Sequence, residues 1–592
     1  MKKNLTSPAN LRNAGLLLFI LLVFLLNGCG SDLLNPAPSL NPDNSFQPAP
    51  SSTPAPAPEE VTLPTTEVVE LVPTPLPTLP ATLNSGSLPG LIVYAMSEAG
   101  YSHLFAWHPE TLAPTRLTYG DWDDQHPALS PDGRRIAFSS NRHGHWDIFI
   151  LDLTTGITTQ FTDDPAYDGH PDWSSDGIWM AYEKYLGNNL DIYVRSVAAD
   201  LPETRLTSHP APDFEPAWQP GSDLLAFSSA RSGAVDIYLM KAVQDAAPVN
   251  FTINFISDQR GAVWSPDGGQ LGWISRGDGY PTLQIVHSSE QAALAETVVT
   301  SVESVWDPTG TYLLSLQTTP DESYFAIQQA SDLRYVLLPT PLDGQIAGID
   351  WGVNAIPSTL PAPIAEAAAA RPSAPWLERL IPSAGALSGK QNVIDLPGVK
   401  APHASLIGLA VEPFFALKDR ANAELGWDVL SDLENMFVSI TEPLPPGRQN
   451  DWLYTGRAFA LNPVLIDYEY MLVVKEEFGP DTYWRIFLKP LDQSGEMGAP
   501  LTQFPWDFDA RFSGSPAAYE NGGDTYLEIP GGYWVDFTSL AIDYGWERTS
   551  ALITWESYIQ GARYNTFAIT SGLDWEDAML QIWPPEIFLG GK

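Results

Sequence analysis

A pattern of apolar and polar positions recurs about every 44 residues between residues 92 and 351. Each copy has an apolar strand, a turn of the Ser-Pro-Asp-Gly type, and a second strand with three apolar residues in succession. The copies His126–Gly133 and His170–Gly177 align without gaps. Since Pro presets one dihedral angle of a tight turn and Gly accepts a positive φ, each turn predicts a hairpin between the two strands. A third element, Asp-Ile-Phe or Asp-Ile-Tyr, predicts the next strand of the same sheet.

Two sets of positions define the phase of the repeat, and each has six members. The residues just before the turn are Leu129, Trp173, Trp218, Trp264, Trp306 and Trp351. The apolar triplets end at Tyr94, Phe138, Tyr182, Phe227, Trp273 and Leu314. The first triplet has no Trp-bearing strand before it, and the strand of Trp351 has no triplet after it. We therefore predict a six-bladed β-propeller over residues 90–353, closed by pairing of the Trp351 strand with the blade that begins at Ile92.

The second half of the chain lacks the repeat. Residues 354–391 are rich in Ala and Pro and predict a linker, with short helices over residues 367–370 and 376–380. Residues 392–592 combine helical spacing near residues 408–438, which ends in a turn at Gly426, with strand-like segments at residues 470–474 and 484–488. The predicted fold class is mainly β, a six-bladed β-propeller followed by a separate α+β domain.

The N-terminus predicts an export signal over residues 1–28. Lys2, Lys3 and Arg12 precede the apolar run Leu16–Leu26, whose 11 residues are too few to span a bilayer as a helix. The ending Leu-Asn-Gly-Cys resembles a bacterial lipobox, which implies cleavage before Cys29 and attachment of lipid to that residue. An ordinary secretory signal with an incidental cysteine is the alternative. Because Cys29 is the chain's only cysteine, a disulfide within the chain is excluded.

Residues 29–89 are dominated by Pro, Ala, Thr and Ser and predict an extended, semi-rigid stalk. Lipid, stalk and propeller together predict an extracytoplasmic protein that is attached to the bacterial membrane through its N-terminal lipid. The formal net charge of -41, from 71 acidic and 30 basic residues, argues against nucleic acid as a partner.

Polar residues occupy equivalent positions in the segments that lead to Leu129, Trp173 and Trp218. Its members are Asp124, His126, Asp168, His170, Asp213 and Glu215. Equivalent positions of a propeller lie on one rim of its central channel, so we expect these six side chains to share one face. Imidazole and carboxylate are ligands for a divalent cation, the one cofactor that the sequence offers. Turn capping, hydrogen bonds between blades and a polar rim that meets a partner protein are the alternatives.

The repeat resembles the TolB-like six-bladed propeller over residues 90–353. The resemblance is carried by Pro-x-Trp-Ser-x-Asp-Gly, by the run Ile136–Arg142 and by the Asp-Ile-Phe or Asp-Ile-Tyr element. It implies a ring used as a binding platform in the cell envelope, and it implies no catalytic residues. Blades late in the ring depart from the pattern, since Asp307–Gly310 replaces the usual turn and the Asp-Ile-Tyr element does not recur after Tyr238.

Two features of the sequence argue against an enzyme in residues 392–592. The chain has no Gly-x-Ser-x-Gly elbow and no histidine after His403, so a Ser-His-Asp triad and a His-ligated zinc site are both excluded from residues 404–592. The run Trp452–Ala460 resembles a segment of zinc D-alanyl-D-alanine carboxypeptidase-like domains, and Asp574–Glu576 resembles a later one. The metal ligands of that family fall on Leu453 and Ala460, which implies a peptidase fold kept for binding.

Aromatic residues beside acids or glycines offer a further candidate site in this domain. Trp506, Trp534 and Trp546 predict a surface that stacks on sugar rings, and burial in the core is the alternative. Two functional hypotheses are therefore open. The first is a non-catalytic envelope lipoprotein that binds an envelope protein or a cell-wall polymer. The second is a cell-wall hydrolase that uses Asp or Glu residues of the C-terminal domain.

Overall fold

The computed structural model describes residues 88–199, 201–255, 257–277, 279–290, 292, 295–376 and 391–588. The predicted signal peptide, Cys29, the stalk up to residue 87 and the predicted helix beyond residue 376 lie outside these residues. No helix in the described ranges is both long and apolar enough to cross a bilayer.

Residues 88–352 form six four-stranded antiparallel sheets, as predicted. Blade 1 contains Leu91–Glu98, Tyr101–His108, Leu112–Arg116 and the closing strand Ile346–Gly352. Blade 2 contains Asp124–Leu129, Arg135–Ser140, Asp147–Asp152 and Thr158–Gln160. Blade 3 contains Tyr167–Trp173, Trp179–Tyr185, Leu190–Ser196 and Thr204–Arg205.

The late blades keep this architecture although their sequence motifs weaken. Blade 4 contains Asp213–Trp218, Leu224–Ser229, Asp236–Lys241 and Val249–Asn250. Blade 5 contains Asp258–Trp264, Gln270–Arg276, Thr282–His287 and Glu296–Thr300. Blade 6 contains Glu303–Trp306, Tyr312–Thr318, Ser323–Gln329 and Tyr335–Pro341.

The ring closes as the phase of the repeat predicts. Ile92 lies opposite Trp351 and Val93 lies opposite Asp350 in an antiparallel pair. The last propeller strand is therefore the innermost strand of the first blade, and the two ends of the repeat share one sheet. This closure protects edges that would otherwise be open to pairing with other chains.

Tryptophan side chains of two innermost strands form hydrogen bonds with the preceding blade. Trp173 Nε1 donates to the carbonyl oxygen of Ala128 at 3.0 Å, and Trp264 Nε1 donates to that of Ala217 at 3.2 Å. Both rings are buried. Trp173 and Trp264 therefore have a structural role, because the apolar ring is buried while its N–H satisfies a carbonyl group of the preceding blade.

Carboxylates form a second kind of hydrogen bond between blades. Asp350 of blade 1 accepts a hydrogen bond from the backbone N–H of Leu129 in blade 2 at 2.6 Å. Asp172 of blade 3 accepts one from the N–H of Trp218 in blade 4 at 2.6 Å. Burial raises the pKa of Asp350 to about 6, against the lowering effect of its backbone donors.

We expect Asp350→Ala to lower the free energy of unfolding by about 1–3 kcal/mol, because the N–H of Leu129 loses its acceptor at the point where the ring closes. Asp350→Asn keeps an acceptor oxygen and serves as the matched control, with a smaller loss. Urea unfolding of both variants measures the difference. Equal stability of the two variants would contradict the assigned role of the carboxylate.

Residues 391–588 form an α+β region, which we call the cap domain. Its helices are Gly408–Leu425, Val464–Asp467, Pro516–Glu520, Phe537–Asp543, Trp575–Leu580 and Pro585–Phe588, and Ala362–Ala369 precedes it as a linker helix. Short 3₁₀ turns occupy Val429–Ser431, Trp452–Thr455, Asp509–Phe512, Trp555–Ser557 and Ile559–Gly561. The predicted turn at Gly426 is confirmed, because Gly426 adopts the left-handed conformation that ends the helix at Leu425.

Two four-stranded sheets form the centre of the cap domain. In spatial order, the first contains Leu433–Asn435, Ala458–Leu461, Thr566–Ala568 and Glu547–Arg548. The second contains Met471–Phe478, Asp481–Leu488, Tyr533–Asp536 and Ala499–Pro500. Two strand pairs complete the domain, Val393–Asp395 with Ser405–Ile407 and Trp506–Asp507 with Asp524–Thr525. The predicted strands at residues 470–474 and 484–488 are confirmed as one hairpin.

The cap domain packs directly on the propeller. Phe504 and Tyr533 of the cap share an apolar cluster with Trp146, Tyr185 and Phe214 of blades 2 to 4. Polar contacts reach other blades. Ser97 donates to Asp543, Gln345 to the Ser539 carbonyl, Arg260 to the Thr502 carbonyl, and Arg548 to the Pro320 carbonyl. The predicted separate domain follows the propeller in sequence but covers one of its faces.

Candidate binding cavity

A large cavity lies along the propeller channel and continues under the cap domain. Its volume is about 2250 Å³. The innermost strands of the blades line its propeller side, and parts of Met471–Phe478 and Tyr533–Asp536 line its cap side. Ligand sites are found preferentially at domain interfaces, and this cavity exceeds the range of about 300–1,000 Å³ that is usual for small-molecule sites.

Six equivalent positions, one from each blade, lie three residues before the innermost Trp or Leu and face this cavity. We call them the channel ring: His126, His170, Glu215, Gly261, Glu303 and Gly348. In blades 2 to 5 the pairing register shifts at this position, so each strand has a β-bulge there. A bulge redirects a side chain out of the normal alternation, which explains why these residues reach the channel.

The bulge residues have left-handed backbone conformations. The φ angle is 50° at His126, 45° at His170 and 52° at Glu215. Non-glycine residues rarely adopt these angles, and such strained positions are concentrated at binding and catalytic sites. At the fourth bulge Gly261 has a φ of 61°, and a Cβ atom there would meet open space.

Two ring histidines stack on one another. The centroids of the His126 and His170 rings are 3.4 Å apart, and Nδ1 of His170 lies 2.9 Å from Oε1 of Glu183. Burial lowers the pKa of His126 well below its usual range, and the neighbouring His170 adds to this effect. Burial also opposes protonation of His170, but the Glu183 carboxylate outweighs it and raises the pKa of that histidine. His170 is therefore the member of the pair that carries a proton more readily.

The ring carboxylates hold neighbouring blades together. Glu215 Oε2 accepts hydrogen bonds from the N–H of Gly261 at 2.9 Å and from Ser228 Oγ at 2.7 Å. Burial opposes ionisation of Glu215, but the charges of Arg260 and His170 outweigh it, so the pKa of Glu215 is lowered. Glu303 accepts from the N–H of Ile349 at 3.0 Å, and burial raises the pKa of Glu303 to about 7.

The structure separates the six residues that the sequence predicted to share one face. His126, His170 and Glu215 line the channel, whereas Asp124, Asp168 and Asp213 are fully buried inside their blades. Each aspartate lies near a cation of the same blade. The distances are 2.7 Å from Asp124 to Arg142, 3.5 Å from Asp168 to Lys184 and 2.6 Å from Asp213 to Arg231.

A buried carboxylate needs a cationic partner or hydrogen bonds, which explains why these aspartates point into the blade. Sequence reasoning overlooked the partners, although Ser139–Arg142 and Ser228–Arg231 repeat the order Ser-Ser-x-Arg. Over the described part of the chain, no group of three or more His, Cys, Asp and Glu residues is arranged to hold a metal ion. The divalent cation therefore stays a prediction without a ligand set in the structure.

The three tryptophans of the predicted sugar-stacking surface have little exposed area, and two of them line the cavity. Trp506, Trp534 and Trp546 are 9%, 4% and 0% exposed. Trp546 packs edge to face on Phe459 with ring centroids 4.7 Å apart. Burial in the core is confirmed for Trp546. Trp506 and Trp534 line the cavity, so stacking on sugar rings stays a prediction for those two.

The segment that resembles a carboxypeptidase motif is also part of the core. Leu453 and Ala460 are buried, and Arg457 between them donates to the Ile569 carbonyl at 3.0 Å and to Gln581 at 2.6 Å. His403 lies at the surface beside Glu442. None of these groups faces the cavity under the cap.

Two cavity arginines were not identified from the sequence. Arg260 is buried and donates to the carbonyl of Thr502 in the cap domain at 2.8 Å. Arg276 lies in the adjacent strand of blade 5. Their signal in the sequence was weak, because blade 5 lacks the Asp and His of the earlier blades.

Comparison with known proteins gives short matches within the propeller. No family model matches the chain. A segment of 69 residues is 35% identical to a TolB homolog of Chlorobium luteolum and covers 12% of this chain and 16% of that one. The propeller is TolB-like. A match of 38% over 69 residues to dipeptidyl-peptidase 5 of Porphyromonas endodontalis covers 10% of each chain.

Among solved structures, TolB of Acinetobacter baumannii is similar to this TolB-like propeller. The identity is 20% and the TM-score is 0.41, over 45% of this chain and 67% of that chain. The aligned segments span 10% and 16% of the two sequence relatives named above.

Proposed function

We propose that this chain is a non-catalytic lipoprotein of the bacterial cell envelope that binds an envelope protein or a cell-wall polymer in the channel of its TolB-like propeller. Lipid on Cys29 and the stalk of residues 29–89 would hold it at the membrane, on the outer side. The observation that carries the proposal is the cavity of about 2250 Å³ whose walls come from both the propeller and the cap domain.

The geometry of the channel ring supports binding at this place. The chain keeps His126, His170 and Glu215 in left-handed conformations that cost of order 1–3 kcal/mol each, and in doing so presents their side chains to the cavity. Nδ1 of His126 is buried and has no hydrogen-bond partner among the described residues. A buried polar atom without a partner is uncommon in a folded protein, and a hydrogen bond to a ligand would satisfy it.

The composition of the cap domain supports a role in binding rather than catalysis. The positions where the carboxypeptidase resemblance would place metal ligands, Leu453 and Ala460, are apolar and buried. The alternative, a cell-wall hydrolase that acts through Asp or Glu residues, predicts release of soluble muropeptides from peptidoglycan, whereas the binding proposal predicts retention without release.

Gly261→His tests the channel directly. The ring itself has histidine at two equivalent positions with similar φ angles, and a Cβ at Gly261 meets open space, so we expect the variant to fold. Its imidazole narrows the channel, and we expect capture of the envelope partner or peptidoglycan by the purified protein to fall at least about tenfold, a loss of about 1.4 kcal/mol. Co-sedimentation and pull-down from envelope extracts measure the change.

Gly572→His is the matched control. Gly572 has a φ of 70°, open space around its Cβ position, and a place on a turn of the cap domain away from the cavity. Capture by this variant should equal that of the unmodified chain. Equal capture by both variants would contradict binding in the channel, and muropeptide release by the unmodified protein would favour the hydrolase.

A further inference from the structure

Arg260 and Arg276 lie on neighbouring strands of blade 5, where the channel meets the cap domain. Both side chains line the cavity. Asp258 is opposite Arg276 and Ile274 is opposite Arg260, so the two arginines are diagonal neighbours on the same face of the hairpin. This places two positive charges side by side in a partly enclosed site.

Among the described residues, neither guanidinium forms a hydrogen bond or an ion pair with a carboxylate, although the charge of Arg260 acts on Glu215. Over the residues that the structure describes, Arg260 makes one hydrogen bond, to the carbonyl oxygen of Thr502, and its Nε has no partner. No described residue gives the side chain of Arg276 a hydrogen bond or an ion pair, and its Nε is also buried without a partner. Asp258, the cross-strand neighbour of Arg276, instead accepts a hydrogen bond from the N–H of Val235 at 3.0 Å.

The nearest acids are engaged by other groups. Glu476 is held by Arg485 and Arg548, and Glu215 accepts from Ser228 and the N–H of Gly261. Burial and, to a smaller extent, the charge of Arg260 lower the pKa of Arg276 to about 10, against the opposing charges of Glu476 and Glu215. Buried guanidinium groups normally have carboxylate or phosphate partners, because unpaired charge in a protein interior is costly.

We propose that Arg260 and Arg276 form a binding site for a single carboxylate group, as found at the C-terminus of a peptide or on a small organic acid. A carboxylate offers two oxygens to the N–H groups of two guanidiniums, and such charge-assisted hydrogen bonds are strong and directional. The site deepens the proposed binding function and rests on it, because the ligand reaches the arginines through the same cavity.

Calorimetry on the purified full-length protein tests the site with four probes: acetyl-dialanine with a free carboxylate, its C-terminal amide, acetate and inorganic phosphate. We expect the acid to bind and the amide to bind at least tenfold more weakly. Acetate binding identifies a small-acid site, and binding of the dipeptide acid alone identifies a peptide site. Phosphate binding tighter than either carboxylate, or equal binding of acid and amide, would overturn the proposal.

Arg276→Gln removes one charge without touching the contact of Arg260 with the cap. We expect this variant to bind the acid at least tenfold more weakly and to keep or raise the melting temperature, since repulsion from Arg260 is relieved. Arg334→Gln, on an exposed hairpin of blade 6, is the control and should change neither value. Unchanged binding of the acid by Arg276→Gln would contradict the carboxylate site. A melting temperature lowered by several degrees would assign Arg276 a structural role instead.

Two variants distinguish an error in the carboxylate site from an error in the proposed binding function. If Gly261→His abolishes capture of the envelope ligand while Arg276→Gln leaves it unchanged, binding in the channel stands and the carboxylate site is wrong. If neither variant affects capture, binding in the channel is wrong as well.

Discussion

Trp546→Ala is expected to lower the free energy of unfolding by about 3–5 kcal/mol. The indole is fully buried, and it contacts Phe414 of the long helix and Phe459 of the first cap sheet. Its removal leaves a cavity at the junction of these two elements, which the packed surroundings cannot fill. Chemical denaturation followed by tryptophan fluorescence and circular dichroism measures the loss.

Phe512→Ala is the control for this prediction. Phe512 is in the same domain but 78% exposed, so its removal should change stability by less than about 0.5 kcal/mol. A Trp546→Ala variant as stable as the Phe512→Ala variant would contradict the core assignment. It would also revive the sugar-stacking interpretation of this tryptophan.

Glu476→Gln is expected to destabilise the protein by about 3–5 kcal/mol at neutral pH. The carboxylate lies between Arg485, at 2.8 Å, and Arg548, which also donates to the Pro320 carbonyl of blade 6. Loss of the charge leaves two arginines less compensated at the contact between cap and propeller. Burial opposes ionisation of Glu476, but the two arginines outweigh it and hold its pKa well below the usual range.

The same ion pairs give this prediction a pH dependence. A carboxylate with a depressed folded-state pKa contributes stability above its unfolded pKa, 4.5 for Glu476, and loses it as the pH falls toward the folded-state value. The difference between the unmodified chain and Glu476→Gln should therefore be full near pH 7 and shrink below about pH 4.5. Glu442→Gln, which removes an exposed partner of His403, should cost less than about 1 kcal/mol. A difference that grows on acidification would contradict the depressed pKa.

The propeller could be predicted from the sequence because its signal is repeated. Each Trp before a turn and each apolar triplet occurs once per blade, so the phase of six copies fixed the closing pair of Ile92 with Trp351. The period predicted the strands even in blades 5 and 6, which lack the Asp-Ile-Tyr element, and in blade 6 the turn is altered as well. Repetition lets weak local signals reinforce one another.

The channel was predicted only in part. The position of His126, His170 and Glu215 was recognised, but strand alternation alone does not show that a bulge turns them into the channel and leaves Asp124, Asp168 and Asp213 inside the blades. The bulge depends on the pairing register of two strands, which is a property of the folded sheet. The partners Arg142 and Arg231 lie 18 residues away in sequence.

The cap domain was the least predictable part because it is built from single, non-repeated contacts. Trp546 has an acidic neighbour in the sequence, yet it is fully buried and packs on Phe414 of the distant helix Gly408–Leu425. That the domain covers one face of the propeller depends on contacts such as Arg260 with Thr502, which join residues 242 positions apart. No local pattern indicates such pairs.

Binding of the ligand in the channel is tested most directly by ¹³C-edited NMR of the histidine imidazoles. His126 and His170 line the cavity, whereas His143 and His209 are exposed at the outside of the blades. Single His→Gln variants assign the four signals. On addition of the captured partner or peptidoglycan fragment, we expect the signals of His126 and His170 to shift while those of His143 and His209 stay in place. Shifts confined to His143 or His209 would contradict binding in the channel.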